Sequence, residues 1–285
     1  MTQRRQICPW PARLPGICLL LCTVMLLVAC ARQPANQGEL VFAVAQAPVN
    51  LDPRYATDAA SERVNRLLYQ PLVEFDAASR PVAGLADWHM LDARHYRFIL
   101  KPDRAAFHDG QPLTATDVKA TYTSLLALPD SPHRAEFAHI QRIETPSDDT
   151  IDFYLRQPDP HFAERLIIGI LPARLLASRH DFSNAPVGSG PFRFQAWQHD
   201  LQFTRMADQM SLRIVEVKDP TVRVLKLKRG EVDMLQGDLP PELVRYLQQQ
   251  AGIRLQTGPG ANYSYLGMNL RDSLLADQRI RQALA

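Results

Sequence analysis

The segment FHDGQPLTATDV, Phe107 to Val118, decides how this chain is read. His108-Asp109-Gly110 is a turn tripeptide, with glycine placed for a positive φ that a side chain would resist. Thr114-Ala115-Thr116-Asp117 then has the form of a capping box, in which the Thr hydroxyl and the Asp carboxylate satisfy first-turn N–H groups. Val118, Tyr122, Leu125 and Leu126 continue at i, i+4, i+7 and i+8, so the spacing predicts a helix from about 115 to 127.

Short strands surround this helix. Leu72–Phe75, Ala86–Leu91 and His95–Leu100 read as an antiparallel meander, and Ile140–Glu144 with Thr150–Arg156 as a hairpin around Pro146-Ser147-Asp148-Asp149. Two short helical pieces are expected near 161–167 and 172–178. Further out, Leu40–Val44 reads as a buried strand, Asn50-Leu51-Asp52-Pro53 as a turn, and Ala59–Tyr69 as a helix. Downstream, Pro186–Pro191 is a glycine-punctuated loop leading into strands at Phe192–Trp197, Gln202–Met206 and Leu212–Val217. Asp219-Pro220 opens a helix that Gly230 is placed to end, and Pro240-Pro241 opens another. Strands are expected at Ile253–Gln256 and Tyr263–Asn269, and the start of a helix at Asp277–Ala285. Alternating strands and helices define a mixed α/β architecture.

The chain has 285 residues, 46% hydrophobic and 22% charged, with a formal net charge of +2, which excludes the signature of disorder and offers no basic excess for nucleic acid. All four cysteines (Cys8, Cys18, Cys22, Cys30) fall in the first thirty residues. Arg4, Arg5 and Arg13 precede an uncharged run from Ile17 to Ala29, an n-region and h-region too short for the roughly twenty apolar residues of a spanning helix. The run ends Leu27-Val28-Ala29-Cys30, which looks like a bacterial lipobox, the alternative being an ordinary signal peptide with a stray cysteine. On that reading residues 1–29 are a removed leader, Cys30 carries the lipid, and 30–38 are a polar tether. The leader takes three of the 32 basic side chains and none of the 30 acids, leaving a net charge of −1.

Catalytic patterns are missing from the sequence. Gly188-Ser189-Gly190 lacks the glycines two residues either side of the serine that a nucleophile elbow needs, and Gly258-Pro259-Gly260 has Tyr263 where a dinucleotide fingerprint has its third glycine. None of the eight histidines forms a zinc-type pair. Asp148-Asp149 and His108-Asp109 are explained by turn chemistry. No enzyme and no cofactor are therefore expected.

Eight ordered strings resemble the extracytoplasmic solute-binding proteins of ABC importers, in the family that takes up oligopeptides, dipeptides and nickel complexes. They are Leu40–Ala43 with Asn50–Asp58, Tyr69–Val73, Gly84–Trp88, Tyr96–Lys101 with Phe107–Val118, Pro186–Phe192, Gly230–Asp233, Tyr265–Asn269 and Asp277–Ala285. One string departs: Met206–Met210 has neither the Tyr nor the Trp usual there. The resemblance implies a periplasmic-binding-protein-like clam-shell of type II. Residues 39–69 plus 181–268 would form the first lobe, 70–180 an inserted domain, and 269–285 the start of a second lobe that is largely missing. It implies a lipid-anchored protein of the periplasm or cell envelope that captures peptides and delivers them to ABC permease subunits, with a monomer and no nucleic acid expected.

In peptide-binding members ligand amides pair with main-chain groups of the first lobe. The matching positions are Thr57, Asp58 and Ala59, then Gln236, then Tyr263, Ser264 and Tyr265. Asp58 either serves the ligand or caps the following helix; Tyr263 and Tyr265 either line the site or pack on the sheet. A half clam-shell is expected to bind weakly. The alternatives are a truncated remnant or interaction lipoprotein without transport activity, and a nickel-complex binder.

Overall fold

The computed structural model describes residues 38–237, 239–258 and 265–284. The chain divides into two compact units, one reaching Leu239 and one starting at Pro240.

The first unit contains a five-stranded sheet. Its strands are β1 (Glu39–Val44), β8 (Phe192–Trp197), β9 (Leu201–Arg205), β10 (Ser211–Glu216) and β11 (Met234–Gln236), in the order β11-β1-β10-β9-β8. β1 runs parallel to both β10 and β11, while β9 is antiparallel to β8 and β10. A strand covered on both faces reads as a continuous apolar run, which is the composition of β1. Leu40, Phe42 and Val44 face a core with Val64 and Leu68 of helix α1 (Ala59–Leu68), together with Leu201, Phe203, Leu212 and Ile214. Val41 and Ala43 face the other way, into a cluster with Val232, Leu235 and Leu227; Leu227 lies on a second helix, Pro220–Arg229.

A four-stranded antiparallel sheet, β4-β5-β7-β6, is built from β4 (Ala86–Asp92), β5 (His95–Leu100), β6 (Ile140–Ser147) and β7 (Thr150–Leu155). Helix α2 (Ala115–Ala127) shares its core, where Phe98, Tyr122, Phe137, Phe153 and Phe162 pack mostly edge to face. The expected capping box is present: Thr114 N–H donates to Asp117 Oδ2 at 2.8 Å. Asp117 Oδ1 also accepts the Ala173 N–H at 2.8 Å, pinning the start of α4 (Ala173–Ala177) to α2. Between them α3 (Arg134–Phe137) and a 3-10 turn (Ala163–Arg165) fill the connections.

Of the meander expected over 72–100, β4 and β5 pair antiparallel as expected, and the placement of the first strand is corrected. β2 (Val73–Phe75) pairs instead with a strand the sequence reading passed over, β3 (Pro81–Ala83), in a separate two-stranded ribbon closed by the Asp76–Arg80 turn. Three residues bounded by proline give too little alternation to register as a strand, and a two-stranded pairing satisfies them locally.

The two sheets meet where the chain crosses between them. Tyr69, buried at the end of α1, is gripped by glycines: a methyl group built on Gly169 would lie 2.3 Å from Tyr69 Cβ, and one on Gly188 would lie 2.0 Å from the Leu68 carbonyl oxygen. Gly190 N–H donates to that same oxygen at 2.8 Å. The His108–Gly110 turn docks on this loop, with His108 N–H donating to Gly188 O at 2.7 Å and His108 Nε2 to Gly190 O at 2.9 Å. Gly110 has the expected positive φ, +84°. A second clasp comes from the Asp52–Ala56 loop: Arg54 pairs with Asp52 at 2.6 Å and reaches Ser124, Tyr55 OH donates to Asp130, and His133 Nε2 donates to Ala56 O.

Helix α5 (Pro220–Arg229) starts on the Asp219 cap and ends at Gly230 in the left-handed conformation. The second unit holds α6 (Pro241–Gln248) and α7 (Gln278–Leu284). The strand expected at Ile253–Gln256 does not form, nor does the described part, 265–269, of the one expected at Tyr263–Asn269. A strand exists through its ladder, and these stretches pair with no strand among the described residues.

Candidate functional site

Because β1, β10 and β11 are parallel, their C-terminal ends lie on one edge of the sheet. The register sets Gln236, Val44 and Glu216 side by side there. Ligands of open α/β sheets bind outside the carboxyl ends of the strands, where backbone groups beyond the ladder are free to serve them.

The loop after Val44 follows this edge. Ala47 N–H donates to Glu216 Oε1 at 3.3 Å, and Val49 and Asn50 N–H both donate to Ser61 Oγ at 2.9 and 3.0 Å. Ser61 Oγ in turn donates to Asp58 Oδ2, while Asp58 Oδ1 accepts Ala60 and Ser61 N–H at 3.1 and 2.9 Å. Asp58 is thus the N-cap of α1 and the anchor of the loop. Burial works to raise its pKa, but the Ser61 hydroxyl and the Ser61, Val49 and Ala60 amides outweigh that and hold the carboxyl below the usual carboxylate range.

Thr57 and Ala59 stand exposed on either side of Asp58, and Gln236 is exposed at the end of β11. One loop therefore links these predicted positions. Tyr265 belongs to the second unit and is 81% exposed. Tyr263, Ser264 and Cys30 lie outside the described residues.

Sequence reading missed Arg223. This side chain is 2% exposed, and its Nη1 donates to the carbonyls of Val217 and Lys218, just past β10. In the run Thr221-Val222-Arg223-Val224-Leu225-Lys226-Leu227-Lys228-Arg229 it passes for one of several solvated cations. The available signal was its i, i+4 relation to Leu227, which places it on the buried face of α5.

Among the described residues no group of three or more His, Cys, Asp or Glu is arranged to hold a metal ion, and no helix is long and apolar enough to cross a membrane.

Such an edge is common to open α/β sheets, and the solved structures that superpose on the chain are periplasmic binding proteins. The crystal structure of NikZ from Campylobacter jejuni in complex with Ni(L-His) matches with a TM-score of 0.76 at 26% identity, over 87% of this chain and 52% of that one. The model described as bacterial extracellular solute-binding proteins, family 5 Middle, matches residues 77–285, and the chain belongs to this family. Its relatives include oligopeptide-binding protein AppA of Bacillus subtilis (strain 168), 25% identical over 89% of this chain and 50% of AppA. Another is the probable D,D-dipeptide-binding periplasmic protein DdpA of Escherichia coli (strain K12), 29% identical over 95% and 56%. The chain spans about half the length of the curated relatives it matches.

Proposed function

We propose that the protein is the solute-binding component of an ABC importer, tethered by lipid at Cys30, which captures peptides in the cell envelope and hands them to permease subunits. The observation that carries this reading is the edge itself: three parallel strand ends, Gln236, Val44 and Glu216, lie in one row, with the Asp58-capped helix tied to the same loop. A peptide lying along it would pair its amides with main-chain groups at Thr57–Ala60 and Leu235–Gln236, reading backbone more than side chain. Names among the relatives support the ligand class, since AppA is called oligopeptide-binding and DdpA a probable D,D-dipeptide-binding protein.

On this reading residues 39–69 with 181–268 form the first lobe and 70–180 the inserted domain, while 269–285 begin a second lobe. The role is capture and release with no chemical step. Calorimetry with di- to pentapeptides, alongside nickel–histidine, tests it. Saturable peptide binding is expected; binding of nickel–histidine alone would replace the peptide assignment, and no binding of either would refute the solute-binding role.

A further inference from the structure

Arg223 is the largest side chain withdrawn from solvent in the described structure. Its Nη1 is used on Val217 O at 2.7 Å and Lys218 O at 3.0 Å, while Nε is buried with no partner and Nη2 makes no hydrogen bond among the described residues. Nor does any carboxylate there lie within ion-pair distance. The acids of the flanking segments are committed elsewhere: Glu216 to Ala47, Asp219 to the cap of α5, Asp233 to Val41 N–H, and Glu231 to Lys226. A guanidinium taken out of water without a counter-charge is costly, and the cost falls when an anion joins it.

Its location gives the anion a source. Val217 and Lys218 follow β10, Ala45 follows β1 and Gly237 follows β11, so Arg223 lies under the strand ends that form the binding edge. A methyl group built on Gly237 would lie 3.7 Å from Arg223 Nη2 and 3.7 Å from Ala45 Cβ, so the two smallest residue types flank the unused side of the fork. A planar guanidinium whose Nε and Nη2 make no hydrogen bond among the described residues matches a carboxylate in two parallel hydrogen bonds.

Resting on the solute-binding reading, we propose that Arg223 is the anion anchor of this edge and receives a carboxylate of the bound solute, for a peptide its C-terminal one.

The test is calorimetry on the protein as its own gene produces it, with trialanine and trialanine amide as probes. Wild type should prefer the free acid by about tenfold or more, the scale of a charge-assisted pair. In Arg223→Gln the ratio of acid to amide affinity should fall to near one; Arg223→Lys, which keeps a point charge, should retain part of it. The lysine variant and the wild-type ratio decide the matter if the glutamine variant does not fold. Asp238, next in sequence to Gly237 and outside the described residues, is the competing counter-charge. Asp238→Asn should leave the preference unchanged, and a rise of about tenfold would assign the guanidinium to Asp238 and overturn the proposal. Equal binding of acid and amide by wild type overturns it while the solute-binding reading stands. Failure of both peptides to bind removes the peptide reading and the anchor with it.

Discussion

Replacing Gly188 with alanine puts a methyl group 2.0 Å from Leu68 O, 2.6 Å from Tyr69 Cδ1 and 2.8 Å from Leu68 C, two of them backbone atoms that cannot rotate away. Ordinary contact begins near ~3.4 Å, so the 186–191 loop must retreat from α1 by more than about 1 Å. Two buried bonds depend on that approach, His108 N–H to Gly188 O at 2.7 Å and Gly190 N–H to Leu68 O at 2.8 Å. With about 1 kcal/mol net for each bond and about 1–3 kcal/mol for overpacking, the loss of stability should be roughly 3–5 kcal/mol. That corresponds to a fall in Tm on the order of 10 °C. Urea denaturation followed by far-ultraviolet circular dichroism and by tryptophan fluorescence measures it. Gly258→Ala is the control, because a methyl group there meets nothing within 4 Å among the described residues and its φ lies outside the left-handed region. A Gly188→Ala loss under about 1 kcal/mol would refute the argument that glycine is required where the two sheets meet.

Phe153 is fully buried and meets Phe98, Tyr122 and Phe162 edge to face, so Phe153→Ala should cost about 3–5 kcal/mol in the same assay. Burial pushes the His108 imidazole below the ordinary histidine value of 6.5, against the pull of the Gly190 carbonyl and with help from the Arg193 charge. The native state then binds fewer protons than the unfolded one, so stability should fall as pH drops from 6.5 toward the depressed native value and level off below it. His108→Gln should remove that component from the stability–pH profile; an unchanged profile would contradict it. Cys30→Ser should abolish incorporation of labelled palmitate and release the protein from membranes, and continued labelling would refute the lipid site.

What could be read from sequence was local. The Thr114–Asp117 box and the Asp219-Pro220 to Gly230 helix announce themselves because cap, first turn and stop are neighbours in the chain, and both helices form as expected. β3 and β11 were passed over because three residues carry no period and their ladders come from partners remote in sequence or bounded by proline. The stretch at 253–256 shows the opposite error, apolar alternation that pairs with no strand among the described residues. In the site, Asp58 was legible as a cap by its position before Ala59. That Ser61 ties it to the loop after β1 depends on tertiary contacts 11 and 12 residues apart. His108 and Gly188–Gly190 each read as turns; that they grip one another across 82 residues was not in either motif.

Hydrogen exchange with and without saturating peptide asks where the solute lies. Slowed exchange should concentrate at 45–50, 57–60 and 235–237, the loop and strand ends of the parallel edge, with no change across β4-β5-β7-β6. Protection confined to that four-stranded sheet, or none at the edge under saturation, would contradict the assignment of this edge as the binding site.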